Sequence, residues 1–300
     1  MVFTVHYEAM AQGYSANTAG DPRVPNWVDL TLPDAWPDRL NFSNPLAVVR
    51  LVVSALRSER PLVDLPADLP GADAIPRYIL QEFHNLPNGN YSKSITRGYV
   101  TWFDRVMLGH MQQSRDAVAA QLGHLDSVLD VGCAGGHMAQ ALLDAGSRDV
   151  WGLDPSPYLL QHAAARYPAV KFVQGIAENT GFRDGRFGGA TACFLMHELP
   201  PRYLDAALAE LRRVIRPGGL LAVIEPSPEQ INESLPKLTL RHGWRGIYFG
   251  LLARRMHEPF VHAWQKQPIA SKLAEFGFRL DEDRNELPIR HILATRLADD

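Results

Sequence analysis

The run from Val128 to Gly136, VLDVGCAGG, constrains the fold of this chain more than any other stretch. Apolar residues lead directly into an acid, and small residues follow at once. This order predicts a buried strand with Asp130 at its carboxyl end, a tight turn, and a helix that begins near Gly136. A ligand can approach bare backbone at such a turn, and open α/β sheets bind ligands at the carboxyl ends of their strands. Because Asp130 precedes the first glycine, the turn suits a positively charged ligand rather than a pyrophosphate.

Short apolar runs of the buried-strand type recur downstream, and helical patterns lie between them. The runs are 150–153, 171–173, 190–196 and 220–224. Ser156 followed by Pro157 is a typical helix start, and the helix after residue 200 is predicted to stop at 217–219, Pro-Gly-Gly. Strand and helix therefore alternate from about residue 127, which predicts an α/β fold with a doubly wound, mainly parallel sheet.

A second acid, Asp154, ends the next predicted strand and lies 24 residues after Asp130. An acid at this place commonly accepts hydrogen bonds from both hydroxyls of a ribose. Together the two acids predict a nucleoside ligand with a cationic or zwitterionic tail and no phosphates. S-adenosylmethionine fits that description, although Asp154 could instead only cap the following helix.

Over roughly residues 110 to 300 the chain resembles the class I S-adenosylmethionine-dependent methyltransferases of the small-molecule type. Five segments match that family's motifs in order and spacing; they are 130–136, 152–156, 175–182, 194–199 and 216–220. The resemblance implies a Rossmann-like sheet whose last strands, near 278–280 and 289–295, are antiparallel. It also implies S-adenosylmethionine as cofactor and methyl transfer to an oxygen, sulfur or carbon atom of a small molecule.

The first four motifs carry the cofactor-binding residues that the resemblance implies. These are Asp130, Gly132, Ala134, Gly136, Asp154, Pro155, Ile176, Ala177, Glu178, Phe194 and Leu195. Leu195 and Ile176 would sandwich the adenine ring, and the backbone at Gly132 and Phe194 would hold the methionine end. Two positions depart from the family, which usually has a glycine at 134 and, at 176, an acid that accepts from the adenine amino group. Glu178 or a backbone carbonyl is the alternative acceptor.

His197 follows the fourth predicted strand and is the first candidate for a catalytic residue. A neutral imidazole at the mouth of the site could remove a proton from a hydroxyl, thiol or activated carbon. The alternative is a histidine that only caps a helix or packs in the wall. Earlier in the chain, His84, Asn88 and Tyr91 surround a Pro-Asn-Gly turn that could cover the acceptor as a lid. His84 and Tyr91 are the further catalytic candidates.

The first part of the chain is richer in proline than the rest, because nine of the 22 prolines lie before Arg77. These prolines are expected to break long elements into loops and short helices. One helix is predicted after Asn44, with its apolar face between 46 and 56. We expect a proline-rich, mostly helical lid region over 1–93 and a methyltransferase domain over 94–300. Trp102 and Phe103 are expected in the core, on a helix that runs to about 122. An insert at 226–259 is either a basic cover over the site or an ordinary helix with surface arginines.

The composition limits the classes of partner that the protein is expected to bind. A net charge of −3 without blocks of like charge argues against nucleic acid, and we expect a small-molecule substrate. Two cysteines imply no disulfide framework, and together with the lack of a signal-peptide pattern they predict the cytoplasm. No apolar stretch is long enough to span a bilayer. No metal-ligand spacing is present among eleven scattered histidines, so we expect no metal. The oligomeric state is not indicated.

Two other functions are compatible with parts of this pattern. A nicotinamide-dependent oxidoreductase shares the glycine turn and the ribose acid, but its third glycine should stand where His137 stands, and Asp130 would face the pyrophosphate. A non-catalytic subunit that binds S-adenosylmethionine would keep all of the cofactor residues. Measured turnover of the cofactor would separate such a subunit from an enzyme.

Overall fold

The computed structural model describes residues 24–41, 43–57 and 59–298. Their strands are β1 Ser127–Val131, β2 Asp149–Asp154, β3 Lys171–Gln174, β4 Phe187–Cys193, β5 Ile215–Pro226, β6 Phe278–Glu286 and β7 Ile289–Arg296. These strands form one seven-stranded sheet in the order β3-β2-β1-β4-β5-β7-β6. β1 to β5 pair in parallel, and β7 is antiparallel to both of its neighbours. The predicted mainly parallel sheet with an antiparallel end is confirmed.

Several helices pack on the two faces of this sheet. The described helices are α1 Pro45–Leu56, α2 Lys93–Val106, α3 His110–Leu122, α4 His137–Asp144, α5 Pro157–Arg166, α6 Pro201–Val214, α7 Glu229–Asn232, α8 Leu235–His242, α9 Trp244–Arg255, α10 Val261–Gln265 and α11 Ile269–Glu275. Leu129 and Val131 of β1 belong to one buried apolar cluster, and Val128 belongs to another. Successive side chains of a strand point to opposite faces, so the sheet has a core on each side, as predicted.

The local signals at helix ends explain where several elements begin. The Ser156 hydroxyl accepts a hydrogen bond from the N–H of Leu159, so α5 starts at the predicted place. The helix before the Pro-Gly-Gly segment ends earlier than predicted. Ile215 already pairs with Phe187 in the sheet, and residues 217–219 lie within β5.

The structure corrects two expectations about the helices near residue 100. The single helix expected to run to about 122 is interrupted, because Leu108 and Gly109 adopt φ angles of 52° and 80° between α2 and α3. Trp102 was expected in the core but is 59% exposed. Phe103 is half-buried and packs against one of the two core clusters.

Much of the described part of the N-terminal region packs directly on the sheet domain. The indole N–H of Trp27 donates to the carbonyl of Phe172 at 2.8 Å, and the Tyr158 hydroxyl donates to the carbonyl of Pro33 at 2.9 Å. Helix α1 starts after Asn44 as predicted, yet its apolar side chains are largely exposed among the described residues. A division of the chain at residue 93 stays a prediction, and residues 1–23 of that region lie outside the described ranges. Among the described helices none combines the length and apolar content that crossing a bilayer requires.

Candidate active site

The site lies where the strand order reverses, between β1 and β4, which is where open α/β sheets place their ligand clefts. Gly132, with φ of 68°, follows β1, and an added Cβ there would meet the Leu195 side chain at 3.0 Å. Glycine at 132 therefore lets the turns after β1 and β4 approach each other. At Gly136, with φ of 78°, an added Cβ would meet the Phe172 ring at 2.8 Å. Packing of α4 against the sheet requires this second glycine.

Two residues other than glycine also adopt the left-handed conformation in these turns. Ala134 has φ of 45° and Phe194 has φ of 54°, a conformation that costs roughly 1–2 kcal/mol for such residues. Each is held by a hydrogen bond that its backbone N–H donates. Ala134 donates to the Asp154 carboxylate at 2.9 Å, and Phe194 donates to the carbonyl of Ile224 at 2.7 Å. Strain of this kind persists where the surroundings fix it, and it is concentrated at functional sites.

A cavity opens between these turns, and we call it the glycine-turn cavity. From the sheet domain it is lined by Gly132, Ala134, Leu153, Asp154, Pro155, Ser156, Leu159, Ile176, Ala177, Cys193, Phe194, Leu195, Glu198 and Leu199. Residues of the N-terminal region between Tyr78 and Tyr91 cover it. Most of the predicted cofactor-binding residues therefore share one cavity, although their contacts with a cofactor stay a prediction.

Asp154 anchors the floor of the glycine-turn cavity. Its two carboxylate oxygens accept the N–H groups of Ala134 and Ser156, each at 2.9 Å. Burial raises the pKa of Asp154 to about 6, against the opposing effect of these two hydrogen bonds. Each oxygen has a second lone pair, so the carboxylate can hold the turn and still accept from ligand hydroxyls.

Asp130 lies at the next position inward, in a small neighbouring cavity that also contains Gly132, Ala134 and Phe194 in its lining; we call it the acid cavity. One oxygen of Asp130 accepts from the Thr191 hydroxyl at 2.8 Å. The other oxygen, Oδ2, has no hydrogen-bond partner among the described residues. Burial raises the pKa of Asp130 to about 7, although the Thr191 hydroxyl opposes this rise. A buried acceptor without a partner is the feature that a ligand ammonium group would satisfy.

Besides Asp130, two of the predicted cofactor residues do not line the glycine-turn cavity. Gly136 packs closely against Phe172. Both carboxylate oxygens of Glu178 are 2.9 Å from the Tyr78 hydroxyl, and the Tyr78 ring stacks on Tyr203 at 4.1 Å. Glu178 therefore supports the covering segment, and its role as an acceptor for adenine stays a prediction.

A larger cavity of about 420 Å³ adjoins the first, and we call it the apolar cavity. Its walls come from α2, from the insert and from the turn after β4, and include Ile95, Gly98, Tyr99, Trp102, Phe103, Val106, Phe194, Ile231, Leu252 and Met256. Tyr99 and Phe194 line both the apolar and the glycine-turn cavity. An apolar cavity of this volume suits a small organic molecule. The exposed Trp102 ring thus belongs to a cavity wall.

The insert covers the apolar cavity but does not use its arginines to do so. The Arg254 guanidinium donates to the carbonyls of Gln230 and Gly250 at 2.6 and 2.7 Å. These bonds fasten α9 to the segment at α7. Of the two interpretations of the insert, Arg254 therefore supports the ordinary structural one.

Four polar side chains form a group between the two cavities, and we call it the His–Glu cluster: His84, His197, Glu198 and Glu258. His197 is buried and the other three are half-buried. The Nε2 atom of His84 lies 3.1 Å from Glu258 and 3.4 Å from Glu198. The Nε2 atom of His197 lies 3.5 Å from Glu258, and its Nδ1 atom is 2.7 Å from Glu225 behind the cluster. Glu198 lines the glycine-turn cavity, and the other three line the apolar cavity.

The environment of His197 differs from the sequence-based expectation. Burial lowers the pKa of this imidazole, but Glu225 and Glu258 outweigh burial and hold the pKa well above its usual value. His197 is also only 1% exposed. This pKa shift disfavours the neutral imidazole that the sequence suggested, because a lone histidine was assumed where two carboxylates flank it. His197 does line the apolar cavity, and a catalytic role for it stays a prediction. By contrast, burial lowers the pKa of His84, with Glu258 opposing that shift and His197 adding to it.

The two other lid candidates, Tyr91 and Asn88, lie away from the apolar cavity. Tyr91 is 2% exposed and lines the glycine-turn cavity, and burial raises the pKa of its phenol well above its usual value. This shift favours a neutral phenol that can donate a hydrogen bond there, and a catalytic role for Tyr91 stays a prediction. The Asn88 side chain accepts from the N–H of Asp64 at 2.9 Å and donates to the carbonyl of Tyr91 at 2.9 Å. Asn88 holds the turn together.

Asn85 joins the lid turn to the insert and so brings the cluster together. Its side chain donates to the carbonyl of Arg255 at 2.8 Å and accepts from the N–H of His257 at 3.1 Å. The N–H of His84 donates to the carbonyl of His257 at 3.3 Å. Both His84 and Asn85 have positive φ angles, of 56° and 60°. These contacts hold His84 against Glu258 in a strained turn.

Sequence reasoning missed two carboxylates of this site, Glu225 and Glu258. Glu225 carried a usable signal, because it ends the buried strand β5 just as Asp130 and Asp154 end β1 and β2. Glu258 follows α9 within the insert, where no periodic pattern marks it.

Comparisons of the sequence with known proteins match it to methyltransferases. A family model described as a methyltransferase domain matches residues 128–219, from β1 into β5. A demethylmenaquinone methyltransferase of Renibacterium salmoninarum is 31% identical over 176 residues, which cover 54% of this chain and 70% of the relative. A malonyl-[acyl-carrier protein] O-methyltransferase of Pseudescherichia vulneris is 34% identical over 163 residues, or 52% of this chain and 61% of the relative.

A shorter match reaches a cyanobacterial protein. An uncharacterised methyltransferase of Synechocystis is 36% identical over 98 residues, which are 33% of this chain and 46% of the relative. The chain thus spans about half the length of this relative. Each of the three matches covers only part of this chain, between 33% and 54% of its length.

Proposed function

Because the chain belongs to the class I S-adenosylmethionine-dependent methyltransferases, we propose that it transfers the sulfonium methyl group to an apolar small molecule. The observation that carries this proposal is the wall shared by the two cavities. Tyr99 and Phe194 line both of them, so a cofactor on one side and an acceptor on the other would be immediate neighbours. An oxygen, sulfur or carbon atom would receive the methyl group.

Two features of the site fit S-adenosylmethionine. The Oδ2 atom of Asp130 is buried without a partner among the described residues, which suits an ammonium group. The backbone at Gly132 forms a cradle that a Cβ would fill. When bound, this cofactor supplies a methyl group already activated on a sulfonium, so the chain has mainly to position the acceptor. Asp154 would hold the ribose, while Ile176 and Leu195 would enclose the adenine.

The covering segments have a defined task in this scheme. The N-terminal region closes the glycine-turn cavity, and α2 with the insert encloses the apolar cavity. Enclosure excludes water and holds the acceptor in line with the methyl group, which is where most of the rate gain from positioning arises. The names of two relatives, a demethylmenaquinone and a malonyl-[acyl-carrier protein] methyltransferase, provide two acceptors to test directly.

The test is a product search with deuterated cofactor. The purified protein and methyl-deuterated S-adenosylmethionine are incubated with fractions of a metabolite extract, and mass spectrometry detects labelled products. Gly98 of α2 lines the apolar cavity, and an added Cβ there meets no described atom within 4 Å. Gly98→Phe should fill the cavity and abolish labelling while the protein still binds S-adenosylhomocysteine. Gly98→Ala is the matched control and should label as the unaltered protein does.

Three outcomes contradict the proposal. Cofactor binding without any labelled product would favour the non-catalytic cofactor-binding subunit. Labelling that Gly98→Phe leaves unchanged would place the acceptor outside the apolar cavity. Binding of a nicotinamide dinucleotide in place of S-adenosylhomocysteine would overturn the cofactor assignment.

A further inference from the structure

We propose that the His–Glu cluster binds one divalent transition-metal ion, through His84, His197, Glu198 and Glu258. Each of these residues offers a ligand atom, and the four atoms lie within 4.8 Å of one another. They come from three separate parts of the chain: the lid turn, the turn after β4, and the insert. Metal binding goes beyond the proposed function, although its use in catalysis would rest on that function.

The spacing of the ligand atoms matches a metal centre. Zinc binds imidazole nitrogen and carboxylate oxygen at about 2.0–2.2 Å, so neighbouring ligand atoms of a tetrahedral site are about 3.3–3.6 Å apart. In the cluster, three separations between an imidazole nitrogen and a carboxylate oxygen are 3.1, 3.4 and 3.5 Å, the first and the last to different oxygens of Glu258. All four ligand atoms lie within 4.8 Å of one another, so an ion at the centre would draw the side chains together by about 1 Å at most.

The hydrogen bonding within the cluster is incomplete. Nε2 of His197, both ring nitrogens of His84 and Oε2 of Glu258 have no hydrogen-bond partner among the described residues. His197 is 1% exposed, and buried polar atoms of proteins nearly always have a partner. The groups are close to one another but not aimed for hydrogen bonds. A central cation satisfies nitrogen and carboxylate lone pairs together.

Glu225 gives His197 the support that metal-binding histidines usually have. Such a histidine commonly donates its second ring N–H to a carboxylate, which fixes the tautomer and the ring orientation. Here Nδ1 of His197 lies 2.7 Å from Glu225, so Nε2 is the atom turned toward the cluster. Glu225 also accepts from the N–H groups of Leu195 and Met196 at 3.1 and 2.9 Å, which makes this support rigid.

The donor set selects the kind of ion. Two imidazoles with carboxylates suit zinc, manganese or iron(II), whereas magnesium and calcium prefer oxygen ligands alone. Sequence spacing could not reveal this set, because its members lie far apart in the chain.

The cluster borders both cavities, so an ion bound there could act on the acceptor. An acceptor hydroxyl or thiol that entered from the apolar cavity could bind the ion as a fifth ligand and lose its proton to solvent. Its lone pair would then form the bond to the methyl carbon while the carbon–sulfur bond of the sulfonium breaks and that electron pair stays on sulfur. Such an ion lowers the pKa of a bound oxygen or sulfur group, which would remove the need for a histidine base.

The test is a metal titration that needs neither acceptor nor turnover. The full chain is freed of metal with a chelator, dialysed, and titrated with ZnCl₂ and then with MnCl₂ by calorimetry. We expect one ion per chain with micromolar or tighter affinity for zinc. His84→Ala and Glu258→Gln should each weaken it at least about tenfold. His242→Gln is the control, because His242 pairs with Glu229 at 3.1 Å outside the cluster and should leave zinc binding unchanged.

Two results would overturn the proposal. In the first, neither ion binds to the unaltered protein. In the second, the unaltered protein, His84→Ala and Glu258→Gln all bind zinc equally. Binding of S-adenosylhomocysteine reports the fold of each variant. If both variants fail to fold, the zinc X-ray absorption spectrum of the unaltered protein decides the matter, because a spectrum without imidazole scattering excludes the site. Zinc binding without methyl transfer would refute the proposed function alone.

Discussion

Cofactor binding should depend on pH through Asp130. This carboxyl is fully buried, its Oδ2 atom lacks a partner among the described residues, and its pKa is about 7 because burial disfavours the charged form. Only the ionised carboxylate attracts the ammonium group of the cofactor's methionine end. Affinity should therefore increase as the pH rises through 7 and decrease as the carboxyl is protonated.

The size of this change in affinity follows from the fraction of Asp130 that is ionised at each pH. With a pKa of about 7, Asp130 is about 9% ionised at about pH 6 and about 76% ionised at about pH 7.5. If only the ionised form binds, the dissociation constant is about eightfold larger at the lower pH, or about 1.2 kcal/mol in binding free energy. Asp154, with a pKa of about 6, adds at most about a factor of two at the acidic end. The window ends below about pH 8 because α-amino groups begin to lose their proton there.

Calorimetry of S-adenosylhomocysteine binding across this window is the assay. The product has the same amino-acid end as the cofactor and is not consumed. Asp130→Asn keeps the shape of the side chain and removes its ionisation, so it should bind more weakly and lose most of the pH dependence. A flat profile for the unaltered protein, or an equally steep one for Asp130→Asn, would refute the assigned role.

Three further predictions concern other residues. Asp154→Ala leaves two N–H groups without acceptors, one of them buried and one half-buried, so the free energy of unfolding should fall by about 2–4 kcal/mol, as thermal denaturation would show. Product affinity should fall at least tenfold, as calorimetry would show. Gly136→Ala should lower the free energy of unfolding by about 2–4 kcal/mol, since its Cβ would meet Phe172, with affinity unchanged in the folded protein; a loss of affinity without a loss of stability would contradict the packing role. Asn85→Ala removes two hydrogen bonds between the lid turn and the segment after α9, so methyl transfer should fall while product affinity stays; unchanged transfer would show that the contact is not needed.

The sheet and the cofactor turn could be predicted because their signals are local. Apolar runs, the glycine turn after β1 and the Ser156 cap each depend on neighbours within a few residues. The turn and the cap lie where they were predicted, and the apolar runs overlap the observed strands. The same local logic was insufficient for Gly136, whose neighbour is the Phe172 ring on another strand. It was also insufficient for Trp102, because helical periodicity cannot tell a core face from a face that lines a cavity.

The His–Glu cluster shows why the catalytic side could be predicted only in part. His84 and His197 were both singled out, but the expected chemistry of His197 assumed an isolated imidazole. Its partner Glu225 lies 28 residues away on β5, and Glu258 lies on the insert. No spacing rule joins such residues, since only the fold brings them within 3.5 Å.

The arrangement around His197 limits what this residue can do in any mechanism. A carboxylate can only accept, so the hydrogen bond to Glu225 places a proton on Nδ1 of His197. Nε2 is then the one ring atom that faces Glu258 and the apolar cavity. Without a metal ion, the neighbouring carboxylates raise the pKa of His197, which disfavours its use as a base. With a metal ion, Nε2 would be a ligand and would take no proton. Both cases favour loss of the acceptor proton to a group other than His197.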